Sequence, residues 1–182
     1  MTSPLLPSYL VGFASRDSLI LEFSPTMISL ILAGKVGSSI ASEIGSMRVT
    51  EQIDALEIMG LNSASFLILP KIIASVLSFP FLVVISMGIG MIGAWAGGLS
   101  ADVTTADFMS GLTYDFKSFY ITYALIKTFV FAFIVSSVSS YFGYHAKGGA
   151  IAVGRSSTKA VVYSSILILI FNFILTDLIL AW

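Results

Sequence analysis

Long apolar runs divide the sequence, and short segments rich in polar residues separate each run from the next. A helix needs roughly 20 mostly apolar residues to span about 30 Å of hydrocarbon. Four runs meet this requirement, and we predict membrane helices at about 24–41, 67–99, 119–141 and 160–181. The alternating polar and apolar residues of a transmembrane barrel are absent. The pattern therefore predicts an all-α, polytopic bundle.

The basic residues of the short loops predict how this bundle is oriented, because loops rich in lysine and arginine stay in the cytoplasm. Basic residues occur in the first and third loops, whereas the middle loop carries three aspartates and one lysine, Lys117. The first and third loops are predicted to be cytoplasmic, and both termini then lie outside. Residues 1–18 show no signal peptide. One further span upstream of this chain would explain that orientation.

The first loop is predicted to contain a short amphipathic helix. Thr50 is a suitable N-cap, Glu51 then takes the first helical position, and Gly60 is a natural end. Two sets of residues recur at helical spacing, the apolar Val49, Ile53, Leu56 and Met59 and the acidic Glu51, Asp54 and Glu57. Such a helix either shields the end of the bundle or docks its apolar side into a groove on a cytosolic partner.

Small residues recur at every fourth position along the first span. Because small residues let helix backbones approach closely in lipid, this spacing predicts a helix–helix interface, within the chain or across a dimer. The residues are Ala33, Gly37, Ala41 and Gly45. Gly93 and Gly97 form a GxxxG pair for which we also predict close packing.

Three ionisable residues lie within predicted spans: Lys35, Lys127 and Asp177. A charge inside a membrane is a functional candidate by default. The alternative is structural, because lysine can extend its ammonium group towards the interface and buried charges can pair.

Composition excludes several classes of protein. Charged residues make up 10% of the chain, which is 57% apolar, whereas a soluble domain carries about 25% charged residues. A disordered chain, a disulfide scaffold and a nucleic-acid binder are therefore excluded. With no cysteine and a single histidine, His145, we predict no catalytic site and no metal site. No P-loop string occurs, so we predict that the chain binds no cofactor and no ATP itself.

Two stretches of sequence carry a family resemblance. Ala33–Leu56 reads A-G-K-V-G-S-S-I-A-S-E-I-G-S-M-R-V-T-E-Q-I-D-A-L, and Phe142–Gly154 reads F-G-Y-H-A-K-G-G-A-I-A-V-G. Together with E-F-S-P at 22–25, they resemble the MlaE/YrbE family, the permease subunits of lipid-handling ABC transporters that work with MCE-domain proteins. The resemblance covers nearly the whole chain from about Glu22.

The resemblance implies an organisation and a set of partners. Residues 1–182 would form a single permease domain that lacks the interfacial helix and first membrane helix found upstream in similar proteins. The expected partners are a cytosolic ATPase that binds the ATP, an MCE-domain protein, a second permease copy in a homodimer, and a phospholipid or other lipid. The expected location is the cytoplasmic (inner) membrane of a bacterium.

In the family, a coupling helix between two spans contacts the ATPase, and the matching segment here is the helix of the first loop. By this resemblance, Glu51, Gln52, Asp54, Leu56 and Glu57 are expected at the ATPase contact, with Arg48 orienting the helix.

The leading hypothesis is therefore a non-enzymatic permease subunit of a lipid ABC transporter. The alternative is an ion-coupled secondary transporter, suggested by Lys35, Lys127 and Asp177, although no internal repeat of the kind such transporters show is evident. A third class, a membrane scaffold that transports nothing, is suggested by the small-residue faces.

Overall fold

Six helices account for the architecture seen in the computed structural model, which describes residue 7 and residues 9–180. They are α1 (Tyr9–Val49), α2 (Gln52–Ile58), α3 (Ala64–Ser100), α4 (Thr105–Thr113), α5 (Phe119–Tyr144) and α6 (Ala150–Leu180). The described part of the chain contains no strand. Helices α1, α3, α5 and α6 are long and apolar enough to cross a membrane. The predicted all-α fold of a multi-pass membrane protein is confirmed.

Helix α1 is much longer than the span predicted at 24–41. It runs from Tyr9 to Val49 and contains two stretches with π-type hydrogen bonding, Leu19–Met27 and Ala33–Gly37. Pro25 lies inside the first stretch, where its missing N–H removes one bond from the helical ladder. The prediction failed in the first half of α1 because charged residues there, including Arg16, lower the local hydropathy.

The residues divide into two compact units, and each is described by itself. Unit 1 contains the described residues up to Ile28 and residues Phe81–Ile126. Its core cluster joins α1, α3 and α5 through Ile20, Val83, Met87 and Ala124. The first turns of α1 also pack directly against α4, and the two backbones approach so closely that position 111 of α4 requires glycine. A β-carbon on Gly111 would stand 2.1 Å from the carbonyl oxygen of Tyr9.

Unit 2 contains Ser29–Pro80 and the chain from Lys127 onwards. Its main cluster brings together side chains of α1, α3, α5 and α6: Ala33, Phe79, Phe131, Ala132, Ile134, Val135 and Ile168. A second cluster lies at the loop end of the unit, where Ile40 and Ile44 of α1 pack with Ile53 of α2. This second cluster fixes the position of the short helix α2.

Candidate functional site

The start of α2 differs from the prediction. Thr50 belongs to the end of α1, because its backbone N–H and its hydroxyl both donate to the carbonyl oxygen of Ser46, at 3.0 and 2.9 Å. Glu51 then adopts a left-handed backbone conformation with φ 60°, and α2 begins at Gln52. Thr50 as N-cap and Glu51 in the first helical position were therefore wrong predictions. With only two residues between the helices, the chain must reverse through a positive φ.

The end of α2 was predicted correctly at Gly60. This residue has φ 79°, a conformation that glycine adopts without steric cost. The Gly60 N–H donates to the carbonyl of Glu57 at 3.0 Å, and the Leu61 N–H donates to that of Leu56 at 3.1 Å. This pair of bonds is a Schellman motif, which satisfies the last carbonyl groups of the helix. The helix therefore spans only the seven residues Gln52–Ile58.

Helix α2 is anchored through one side and presents apolar residues at its end. Ile53 is fully buried against Ile40 and Ile44. By contrast, Ile58 is 87% exposed and Met59 is 65% exposed. Met59 was predicted on the same side as Ile53, but it lies past the last helical residue, so the helical spacing does not extend to it. The end of the helix therefore offers apolar side chains that this chain does not cover.

Arg48 connects α2 with the end of α5. Its Nη1 lies 2.5 Å from Oδ1 of Asp54, and its guanidinium carbon lies 5.6 Å from the ring centroid of Tyr144. The Arg48 side chain is 32% exposed and that of Asp54 is 48% exposed. Such a half-exposed ion pair contributes little free energy but fixes an orientation.

Glu57 lies at the centre of a hydrogen-bonded cluster. Its Oε1 accepts a hydrogen bond of 2.8 Å from the Ser63 hydroxyl and another of 2.8 Å from the Tyr144 hydroxyl. The two hydroxyl oxygens are 3.0 Å apart. The bond from Ser63, then that from Tyr144, lowers the pKa of Glu57, and the Arg48 charge lowers this pKa further. The carboxylate is therefore held in its charged form.

The predicted contact residues separate into two groups. Asp54 and Glu57 are occupied by partners within the chain, and Leu56 is half-buried. Glu51 and Gln52 are exposed. The surface open to a partner therefore includes Glu51 and Gln52 at one end of α2 and Ile58 and Met59 at the other, and Glu57 is also exposed although its Oε1 is hydrogen-bonded within the chain.

The small-residue stripe of α1 packs inside unit 2. A β-carbon on Gly37 would stand 2.8 Å from Oγ of Ser139 in α5, and one on Gly45 would stand 3.2 Å from Cγ1 of Val153 in α6. All four stripe residues are buried: Ala33, Gly37, Ala41 and Gly45. Within the described chain, this stripe is a close contact between helices of the same molecule.

The GxxxG pair of α3 does not pack in the same way. A β-carbon on either Gly93 or Gly97 would meet no atom within 4 Å, the helix's own nearby backbone left aside. The prediction of close packing at this pair was wrong within the described residues, because no neighbouring helix of the chain approaches that face of α3.

The three charges in the spans have different environments. Lys127 is fully buried, and its ammonium group donates to Oγ1 of Thr176 at 3.1 Å. Lys35 and Asp177 are exposed. Of the three, only Lys127 is thus enclosed by protein, and both interpretations of Lys35 and Asp177 stay predictions.

Ser63, Tyr144 and Arg16 were missed as candidate residues. Tyr144 lies inside the motif at 142–154, but nothing in its spacing points to Glu57, which is 87 positions away. Ser63 lies only a few residues beyond the end of α2, and this closeness in sequence was the one available indication that it could contact the helix. Arg16 could have been noticed as a lone basic residue beside an apolar run.

Arg16 is 1% exposed and joins α1 to the end of α4 within unit 1. Its Nη1 donates to the carbonyl oxygens of Leu112 and Tyr114, both at 2.8 Å, and its Nε donates to Asp17 at 2.8 Å. It also borders a mainly apolar cavity of about 450 Å³, together with Ile20, Met91, Leu112, Thr113, Phe116 and Ile121.

Among the described residues, no group of three or more histidines and carboxylates could hold a metal ion.

Comparison with known proteins decides the family. A sequence model described as Permease MlaE matches residues 2–178. The chain belongs to the MlaE permease family. The resemblance predicted from the two motifs is thereby confirmed. Relatives in this family include a "Probable ABC transporter permease protein" of Rickettsia bellii, 43% identical over 162 residues, which are 88% of this chain and 62% of the relative.

Two further relatives come from a cyanobacterium and a plant. A "Probable ABC transporter permease protein" of Synechocystis is 36% identical over 91% of this chain and 64% of its own length. "Protein TRIGALACTOSYLDIACYLGLYCEROL 1, chloroplastic" of Arabidopsis thaliana is 36% identical over 86% of this chain and 45% of its own length. This MlaE-family chain thus spans less than two thirds of the length of these relatives.

Proposed function

We propose that this chain is the permease subunit of an ABC transporter that moves a phospholipid or related lipid. The lipid would pass between the cytoplasmic membrane of a bacterium and an MCE-domain protein. Family membership, four helices long enough to span a membrane and relatives named ABC transporter permeases support this proposal. The name of the plant relative contains that of a glycolipid, which supports a lipid substrate.

A separate ATPase supplies the energy in this proposal, and a second copy of the chain completes the membrane part. The chain itself carries out no covalent step, and ATP binds to the partner. ATP changes the transporter only if it binds two conformations with different free energies, so the ATPase must be mechanically linked to the membrane helices.

The observation that carries the proposal is the exposed apolar end of α2. Ile58 and Met59 project from a helix that Ile53 anchors to the bundle. Burying an aliphatic side chain in a groove contributes about 1.5–3 kcal/mol. Two such side chains, flanked by the exposed polar residues Glu51 and Gln52, form a suitable docking surface for an ATPase.

The test is co-purification of the ATPase with variants of the complete transporter in detergent. Glu51→Lys combined with Gln52→Lys, and separately Ile58→Glu, are expected to reduce the amount of ATPase recovered at least several-fold. Ile151→Glu is the matched control, because Ile151 is 77% exposed and lies outside α2. Undiminished recovery with both α2 variants would exclude docking through this helix.

An ion-coupled secondary transporter is the second candidate, and the fully buried Lys127 is the observation that favours it. Lipid transfer by reconstituted protein distinguishes the two candidates. An ATP-driven permease stops when ATP is depleted and is unaffected when ion gradients are dissipated. The opposite result would support ion coupling.

A further inference from the structure

We propose that Glu57, Ser63 and Tyr144 form a latch that transmits movement of α2 to the membrane helix α5. This inference rests on the proposed function, because it assigns a path from the docked ATPase into the membrane part. It assigns positioning residues only: none of the three is required to touch ATP, lipid or the ATPase.

The latch connects three elements at one point. Glu57 belongs to α2, Ser63 directly precedes α3, and Tyr144 is the last residue of α5. The Ser63 and Tyr144 hydroxyl oxygens each lie 2.8 Å from Oε1 of Glu57 and 3.0 Å from each other, so no other group lies between them. A displacement of α2 therefore either moves the end of α5 with it or breaks a hydrogen bond to a carboxylate, which is among the stronger kinds.

The end of α5 is itself held firmly, so it can transmit a movement instead of yielding locally. A β-carbon on Gly143 would stand 2.8 Å from the carbonyl oxygen of Ala41, which shows how closely α5 lies on α1. Arg48 adds a second connection, since it pairs with Asp54 of α2 and lies over the Tyr144 ring. Tyr144 is thus linked to α2 through both its hydroxyl and its ring.

The geometry also separates docking from transmission. Glu57 immediately precedes Ile58, so a force applied to the exposed apolar end acts beside the latch. Both hydrogen bonds to Glu57 come from its own chain and fall on Oε1, so the bond from Tyr144 can be removed without altering the exposed apolar end at Ile58. Docking and transmission therefore fall on neighbouring residues that can be altered separately.

Tyr144→Phe tests the latch, because it removes the hydroxyl and keeps the ring beneath Arg48. The complete transporter is reconstituted into vesicles containing a fluorescent phospholipid, and lipid transferred and ATP hydrolysed are measured together. We expect ATPase recovery and ATP hydrolysis within about twofold of wild type. The lipid transferred per ATP should fall about three- to tenfold, the scale set by the net contribution of one typical hydrogen bond at an exposed site.

Tyr141→Phe is the matched control. Tyr141 lies in the same helix, is 58% exposed and stacks on His145 through its ring, which phenylalanine preserves. Its hydroxyl makes no hydrogen bond to another described residue. This variant should transfer as much lipid per ATP as wild type.

Glu57→Ala removes the acceptor of both hydroxyls, so it should lower transfer per ATP at least as much as Tyr144→Phe, and the double variant should be no worse than Glu57→Ala alone. If Tyr144→Phe does not give a folded complex, Ser63→Ala removes the other donor and should lower transfer per ATP in the same direction.

Several results would overturn the latch: an unchanged ratio of transfer to hydrolysis in Tyr144→Phe, an equal loss in Tyr141→Phe, or additive losses in the double variant. Loss of ATPase recovery in Tyr144→Phe would likewise overturn it, because the residue would then merely shape the docking surface. If the wild-type transporter contains no ATPase, both the proposed function and the latch fail. This result differs from those above, because it is seen in the wild-type protein and not in a variant.

Discussion

Replacing Arg16 by methionine is expected to destabilise unit 1 strongly. Methionine fills a similar volume but has no hydrogen-bond donor, so the carbonyl oxygens of Leu112 and Tyr114 and the carboxylate of Asp17 each lose a partner at 2.8 Å. The guanidinium also leaves the faces of two rings, Phe13 and Phe116, which it contacts at 5.1 and 5.5 Å.

The size of this effect follows from burial. Removing one member of a buried, hydrogen-bonded charge pair costs about 3–5 kcal/mol. Arg16 is 1% exposed, but Tyr114 is 54% exposed and the Asp17 side chain is 20% exposed, so water can partly replace the lost contacts. We therefore expect the low end, about 3 kcal/mol, which corresponds to a fall in Tm of about 6–12 °C for a chain of this size.

Thermal unfolding of the detergent-solubilised protein, followed by circular dichroism, measures this change. Lys117→Met is the control, because the Lys117 side chain is 60% exposed and its ion pair with Asp115 is long, at 4.0 Å. Arg16→Lys keeps the charge but cannot form the same set of hydrogen bonds, so its Tm should lie between those of Arg16→Met and Lys117→Met. A Tm for Arg16→Met within about 2 °C of wild type would refute the reasoning.

Two further predictions concern unit 2. Gly37→Val places a side chain against Ser139 and should destabilise the protein by about 1–3 kcal/mol in the same unfolding assay. Gly34→Val is its control, since Gly34 is exposed with open space beside it, and equal losses would contradict the packing described for the stripe. Because the pKa of Glu57 is lowered from its ordinary 4.5, its contribution to stability is present above pH 4.5 and is lost as pH falls through the lowered pKa. Glu57→Gln should remove that part of the acid sensitivity of the Tm, and an unchanged acid profile would contradict it.

Local patterns predicted the helices where a single physical factor dominates. Helix α5 begins at the predicted Phe119, because a predominantly apolar run of this length, which contains only one charged residue, is stable in a membrane as a helix. The end of α2 was predictable because Gly60 is the residue suited to a positive φ. The left-handed conformation of Glu51 was not predictable in this way, since no property of glutamate favours it and the arrangement of the two flanking helices imposes it.

Tertiary contacts account for what the patterns could not show. The partners of Arg16 lie 96 and 98 positions away, so the local sequence shows the charge of Arg16 but not that this charge is satisfied inside unit 1. Similarly, helical spacing alone predicted that the acidic residues of α2 form an exposed face. The structure pairs Asp54 and Glu57 with Arg48, Ser63 and Tyr144, so these acids also hold α2 in place, while Glu57 remains exposed.

Site-specific cross-linking from α2 tests the docking proposal most directly. The chain contains no cysteine, so Met59→Cys introduces a single reactive thiol that can carry a photoactivatable cross-linker. Met109→Cys is the control, because Met109 is 52% exposed in α4, whose loop is predicted to lie on the other side of the membrane. In the complete transporter, cysteine at 59 should cross-link to the ATPase and cysteine at 109 should not. A cross-link to the ATPase from position 109, or none from position 59, would contradict the proposed role of α2.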